Sequence, residues 1–153
     1  MMASASSSRK PLVLIVEDEF LLRMDAMQMI EEAGFDVLEA ATADQAIALL
    51  EQRSDIAVIF TDIDLPGSMN GLKLAHAVRD RWPPIRIVTT SGHFNLDQDK
   101  LPSGCKFIPK PYDFRHVAET IRDLMGMLTA VRLNPHMTYS ATESVAAFRH
   151  RTA

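Results

Sequence analysis

VIFTDIDLPG, residues 58–67, opens on Val58, Ile59 and Phe60 and closes on two carboxylates, a proline and a glycine. The apolar run has the length and make-up of a strand buried on both faces. Asp62 and Asp64 fall at its end, where a buried charge is costly unless a cation or a metal meets it. The rest of the chain has to supply that partner.

Working outward, the same rhythm recurs on either side. LVLIV (12–16) is a second continuous apolar run of strand length. Helical spacing over residues 20–33 puts Leu21, Met24, Met27 and Ile30 on one stripe, with Gly34 at the stop. Residues 36–40 form a short strand, and residues 42–53 a helix with Ala46, Leu49 and Leu50 facing inward. After the quoted strand, residues 70–82 make a third helix with Leu72, Ala75 and Val78 on its apolar side, and Pro83-Pro84 break it. Residues 85–90 are a fourth strand and 106–109 a fifth. Between them, residues 94–103 carry Asp97, Asp99 and Pro102 and hold at most a short helix. Residues 113–128 are the last helix, with Phe114, Val117, Ile121 and Leu124 in register.

Five alternations of strand and helix predict an α/β, doubly wound parallel sheet with helices on both faces and right-handed crossovers. The domain expected is residues 10–128. MMASASSSR (1–9) is small and polar and is expected to be a disordered leader. Residues 129–153 are expected to form a linker-like tail. Within it Ser140-Ala141-Thr142-Glu143 makes a capping box, so a short helix competes there with disorder.

Composition narrows the function classes. The chain has 153 residues, 47% hydrophobic and 24% charged, an ordinary balance for a folded domain. Its net charge of −4 argues against a nucleic-acid partner, which would ask for a basic face. Cys105 is the only cysteine, so no internal disulfide forms and a reducing cytoplasm is expected. Arg9-Lys10 before PLVLIV resembles a signal-peptide start. The apolar run is too short for one, however, and ends in Glu17-Asp18-Glu19. No window approaches the ~20 apolar residues of a membrane span.

In a sheet of this kind the functional edge lies beyond the carboxyl ends of the strands. The first strand ends in Glu17-Asp18, the third in Asp62 with Asp64 following, the fourth in TTSG (89–92) and the fifth in Lys110-Pro111. Any one of these residues has a plain reading as a helix cap, a turn residue or a solvated lysine. Their convergence from four strands makes coincidence improbable. Clustered carboxylates with oxygen-only ligands suit Mg2+. A carboxylate can take a phosphoryl group, and a metal, a lysine and a hydroxyl can neutralise and position it.

The set VEDE, DIDLP, TSG and KP, in that order, resembles the receiver domain of two-component response regulators. The likeness covers the whole folded region and implies a strand order of 2-1-3-4-5. It implies Asp62 as phosphoacceptor, with Pro66 completing D-x-x-x-P. It implies Mg2+ held by Asp18, Glu17, Asp62 and the main-chain carbonyl of Asp64. Ser91 and Lys110 match the hydroxyl and ammonium that bind the phosphoryl group. Phe107 matches an aromatic that turns inward on activation, although a plain core role explains it equally well. Asp64 and His93 occupy the positions that tune phosphoryl lifetime. The implied donor is a sensor histidine kinase or a histidine phosphotransfer protein, and an unknown downstream protein reads the change. The chain itself is expected to be a signalling phosphoacceptor rather than an enzyme, promoting only its own phosphorylation and dephosphorylation.

The chain departs from the family pattern at three points. GSMNG (67–71) is one residue longer than the commonest form of that loop. The segment between Ser91 and Lys110 is short, so the fourth helix is reduced and the usual partner face and dimer are in question; a homodimer stays open. Polar groups at Asp64 and His93 set no direction for phosphoryl lifetime. Residues 129–153 are too few for a helix-turn-helix, and a stand-alone receiver is expected. Rival readings are a phosphate-independent binding module, a phosphate sink, and a phosphatase of the haloacid-dehalogenase type. Asp62-Ile63-Asp64 matches the last in letters, but an acid-ended strand precedes it and Pro66 replaces the usual threonine or valine.

Overall fold

The computed structural model describes residues 10–93 and 97–126. The described residues up to Ile121 belong to one compact unit, and those from Arg122 to residue 126 to a second. The expected leader (1–9), the whole tail (129–153) and its capping box therefore lie outside the described residues.

Five strands form one parallel sheet: β1 (Leu12–Val16), β2 (Asp36–Ala40), β3 (Ile56–Asp62), β4 (Arg86–Ser91) and β5 (Lys106–Pro109). Their order is β2-β1-β3-β4-β5, as the likeness implied. All five residues of β1 are buried, as are six of the seven in β3. The continuous apolar runs thus sit in the middle of the sheet, where both faces are covered. At the edge, β2 exposes Asp36 and Glu39, charges that discourage pairing with another strand.

Four helices follow: α1 (Phe20–Glu32), α2 (Ala43–Gln52), α3 (Gly71–Arg81) and α4 (Phe114–Leu124). Thr42 caps α2 by accepting from the Gln45 amide, and Asn70 caps α3 by accepting from Lys73. Ala43, Ala46 and Leu50 of α2 share a core with Leu74, Ala75 and Val78 of α3 and with Leu12, Leu14, Val16, Ile59 and Ile87 of the sheet. Right-handed crossovers place α1 on the opposite face, because the chain moves from β1 to β2 in the reverse direction across the sheet.

Two readings of the helices need correction. Leu21 is 74% exposed and Met24 43% exposed, whereas Ala26 and Ile30 are buried. The core stripe of α1 therefore passes through Ala26 and Ile30, not Leu21 and Met24. Because α1 is apolar nearly all round, its periodicity does not say which side faces the sheet. In α3 the buried positions are Gly71, Leu74, Ala75 and Val78; Leu72 is only half-buried.

Between β4 and β5 the described residues hold a single 3₁₀ turn, Gln98–Lys100, where a longer connection would carry a full helix. The turn is tied to α3, with His76 Nε2 lying 2.6 Å from the Lys100 carbonyl oxygen.

A candidate phosphoacceptor site at the carboxyl edge of the sheet

β3 runs two residues past Phe60, so Asp62 is its last residue, paired in register with Thr90 of β4. Asp62 is 5% exposed. Its backbone is held in place from the helix side. The Gly71 amide donates to the Ile63 carbonyl at 2.9 Å. A Cβ on Gly71 would overlap the Asp62 carbonyl oxygen and lie 2.7 Å from its carbon and from Ile63 Cα. Only glycine lets α3 begin so close to the acidic strand end.

The cation that the buried carboxylate requires is Lys110. Its Nζ lies 2.6 Å from Asp62 Oδ2 and 3.1 Å from Glu17 Oε1. Lys110 follows β5, and its amide donates to the Ser91 carbonyl at 2.9 Å, so β4 positions its backbone. Burial works to lower the lysine's pKa. The hydrogen bond and charge of Asp62, then those of Glu17, outweigh burial and hold the ammonium above its ordinary value.

Glu17 shows the opposite balance. Burial raises its pKa, the Glu19 amide and Lys110 lower it, and the neighbouring Asp62 adds to the rise. The net direction is upward, because burial and the Asp62 charge outweigh the Glu19 amide and Lys110. Carboxylate oxygens of Glu17, Asp18 and Asp62 all lie within 4.8 Å of one another. Three neighbouring acids, two of them paired with the one ammonium, leave surplus negative charge. Oxygen donors at that spacing fit a small hard cation such as Mg2+.

Asp64 and Ser91 form a second layer. The Asp64 amide donates to Asp62 Oδ1 at 2.8 Å. The Ser91 hydroxyl donates to Asp64 Oδ2 at 2.8 Å and accepts from the His93 amide at 3.1 Å. His93 Nε2 lies 3.3 Å from Asp64 Oδ1, on the solvent side. Phe107 is half-buried and pairs with Thr89 across β4 and β5.

The structure thus brings Glu17, Asp18, Asp62 and Lys110 together, with Asp64, Ser91 and His93 beside them. The sequence reading missed three contributors. Gly71 left a faint signal as a glycine at a helix start. Arg23, the only basic residue of α1, donates from Nη1 to the Glu17 carbonyl at 2.8 Å. Tyr112 follows the cis Lys110-Pro111 bond and sets its ring edge-on to Phe60 and Phe114 at 5.6 and 5.3 Å. Burial pushes its phenol up to about 12, with Lys110 opposing and Glu17, Asp62 and Asp25 adding.

Comparison with known proteins agrees with this geometry. The sequence pattern of the response regulator receiver domain matches residues 13–122. A sensor kinase CckA from Brucella abortus is 29% identical over 117 residues, covering 74% of this chain and 12% of that protein. A chemotaxis protein CheY homolog from Campylobacter jejuni is 32% identical over 120 residues, covering 74% of this chain and 92% of that one. The crystal structure of a response regulator receiver protein from Sinorhizobium medicae superposes with a TM-score of 0.73 at 25% identity, covering 78% of this chain and 98% of that one. Three curated relatives are longer proteins, of which the chain spans 12%, 24% and 49%. Among the described residues no helix is long and apolar enough to cross a membrane. With the acidic edge, the strand order and these likenesses in agreement, the chain belongs to the response regulator receiver domain family.

Proposed function

We propose that this chain accepts a phosphoryl group on Asp62 from the phosphohistidine of a sensor histidine kinase or a histidine phosphotransfer protein. In the transfer an Asp62 carboxylate oxygen bonds to phosphorus as the N–P bond breaks, and the imidazole keeps the electron pair. Glu17, Asp18, Asp62 and the main-chain carbonyl of Asp64 would hold Mg2+. When bound, the ion offsets the negative charge of the phosphoryl oxygens.

The protein's own groups do the rest. Lys110 reaches Asp62 from the edge strand and supplies a fixed positive charge where the phosphoryl oxygens arrive. Ser91 supplies a hydroxyl donor, and Phe107 follows the movement of β4 and β5. Asp64 and His93 flank the route of an attacking water and set how long the phosphoryl group stays. The altered charge then shifts a two-state arrangement of loop and strand that a downstream protein reads in the cytoplasm. The receiver domain is assigned to residues 10–128.

The observation that carries this reading is the contact of Lys110 Nζ with Asp62 Oδ2 at 2.6 Å, where carboxylate oxygens of Glu17 and Asp18 lie within 4.8 Å of one of Asp62. The test is intact mass after incubation with MgCl2 and acetyl phosphate. One added phosphoryl group is expected in the wild type, with none in Asp62→Asn or without metal. Equal addition in Asp62→Asn overturns the assignment. Repeated turnover of a phosphate ester would instead restore the phosphatase reading. Equal partner affinity of wild type and Asp62→Asn would restore the phosphate-independent module.

A further inference from the structure

Arg23 of α1 lies where β1 hands over to that helix. Its Nη1 donates to the Glu17 main-chain carbonyl at 2.8 Å, and its Nε donates to Glu39 Oε1 on β2 at 3.0 Å. The Arg23 side chain is only 11% exposed, while Glu39 is 45% exposed. The Arg23 amide also closes the first turn of α1 on the Glu19 carbonyl at 2.9 Å, and its guanidinium lies 5.5 Å from the Phe20 ring centroid. One side chain therefore fixes the acidic turn to the helix that follows it and to the neighbouring strand.

This turn has few other restraints. Glu19 stands at the N-cap of α1 without a side-chain cap bond. The turn is held by the Glu17 amide on the Ala40 carbonyl at 3.1 Å and by the Glu19 amide on Glu17 Oε2 at 3.1 Å. The second of these uses the same carboxylate that faces Asp62. Arg23 grips the one group between Glu17 and Asp18 that carries no function of its own, the peptide carbonyl. A planar guanidinium meets the carbonyl through Nη1 and Glu39 through Nε in one fixed fork, a geometry that the single nitrogen of a lysine on its flexible stem does not reproduce.

We infer that Arg23 is a positioning residue for the acidic cation site, orienting the Glu17-Asp18 turn so that its carboxylates converge on Asp62. The inference rests on the Mg2+ reading above and extends it to a residue that touches neither metal nor phosphate. It has a sign that electrostatics alone cannot produce. Removing a positive charge near a cation site should tighten cation binding by relieving repulsion. Removing a positioning group should weaken it, by about 10-fold for an outer partner of a metal ligand.

The test is calorimetric titration with MgCl2 alone on wild type, Arg23→Gln, Arg23→Lys and Glu39→Gln, with circular dichroism to confirm the fold. The positioning role predicts Mg2+ binding about 10-fold weaker in Arg23→Gln. Arg23→Lys keeps the charge but loses the fixed fork that spans the two acceptors, and should also bind more weakly. Glu39→Gln keeps the carbonyl contact and should lie nearer the wild type. Hydrogen exchange of the Glu19 amide, measured without metal, should quicken in Arg23→Gln. Unchanged or tighter Mg2+ binding in folded Arg23→Gln overturns the inference. If Arg23→Gln does not fold, wild-type affinity in Arg23→Lys overturns it equally. Wild-type protein that takes up no Mg2+, with Glu19 exchange still quickened in the variant, would overturn the metal reading while leaving the turn-fixing contact in place.

Discussion

Ser91 gives its hydroxyl proton to Asp64 Oδ2, 2.8 Å away, while the Asp64 amide holds Asp62 Oδ1 at the same distance. A serine hydroxyl has one proton to donate. Ser91 must therefore release Asp64 before it can donate to a phosphoryl group on Asp62. Asp64→Ala removes the competing acceptor and a repelling charge. Beryllofluoride, a phosphoryl mimic, should bind it about five-fold more tightly, equivalent to one hydrogen bond of ~1 kcal/mol. Asp64→Asn keeps an acceptor and should fall between. Calorimetry with wild type and both variants checks the order, and weaker binding in Asp64→Ala would reverse the role given to this contact.

Lys110 neutralises two buried carboxylates at once, so Lys110→Met should destabilise the fold by about 2 kcal/mol at neutral pH. MgCl2 should recover more of the loss in the variant than it adds to the wild type, since both cations serve the same acids. The lysine's folded pKa lies above its ordinary 10.5. Its contribution is therefore complete below pH 10.5 and is lost as pH rises through the higher folded value. Chemical denaturation across pH 7–12, with and without MgCl2, would show an alkaline loss in the wild type that is smaller in Lys110→Met.

Glu17 titrates in the reverse sense for metal binding. Burial raises its pKa above the ordinary 4.5, so protonation begins at a higher pH than for a free glutamate. A protonated carboxyl is a poor cation ligand. Mg2+ affinity should fall as pH drops through the raised value, and Glu17→Gln should remove that part of the pH dependence. The same shift means the ionised Glu17 costs stability, a cost relieved as pH falls toward 4.5. Titration with MgCl2 between pH 7.5 and 5 decides the first point, and metal-free unfolding at the same pH values the second.

Gly71→Ala is expected to be severe for so small a change. The added methyl would overlap the backbone of the proposed phosphoacceptor, and backbone cannot rotate aside. Denaturation should show a loss of about 2–4 kcal/mol. Phosphoryl uptake from acetyl phosphate should fall with it. By contrast, Gly92→Ala meets nothing within 4 Å, and its stability should remain close to that of the wild type.

Much of this arrangement was legible in the letters of the chain. Runs such as LVLIV and VIFT are too apolar for anything but interior strands, and the polar residues that end them mark one edge of the sheet. Legibility failed where a role depends on direction or on backbone. Leu21 and Met24 misled because α1 offers apolar residues on every side, so only packing against β1 and β2 selects Ala26 and Ile30. Arg23 was overlooked because its partner at the site is a peptide carbonyl, which no sequence letter represents. Gly71 matters for the atom it lacks. Asp62 and Lys110 stand 48 residues apart, and the likeness to a family paired them before the geometry did.

The neutralising cation also comes late in the chain. Lys110 lies 93 residues after Glu17 and 48 after Asp62. A ribosome therefore makes the acids well before the base that quiets them. A nascent or truncated chain ending short of β5 carries mutually repelling carboxylates at an open sheet edge. Docking of that last, shortest strand closes the edge and cancels the repulsion in one event. On the proposed function, competence to receive a phosphoryl group would therefore wait until synthesis has passed Lys110, the residue that pairs with Asp62.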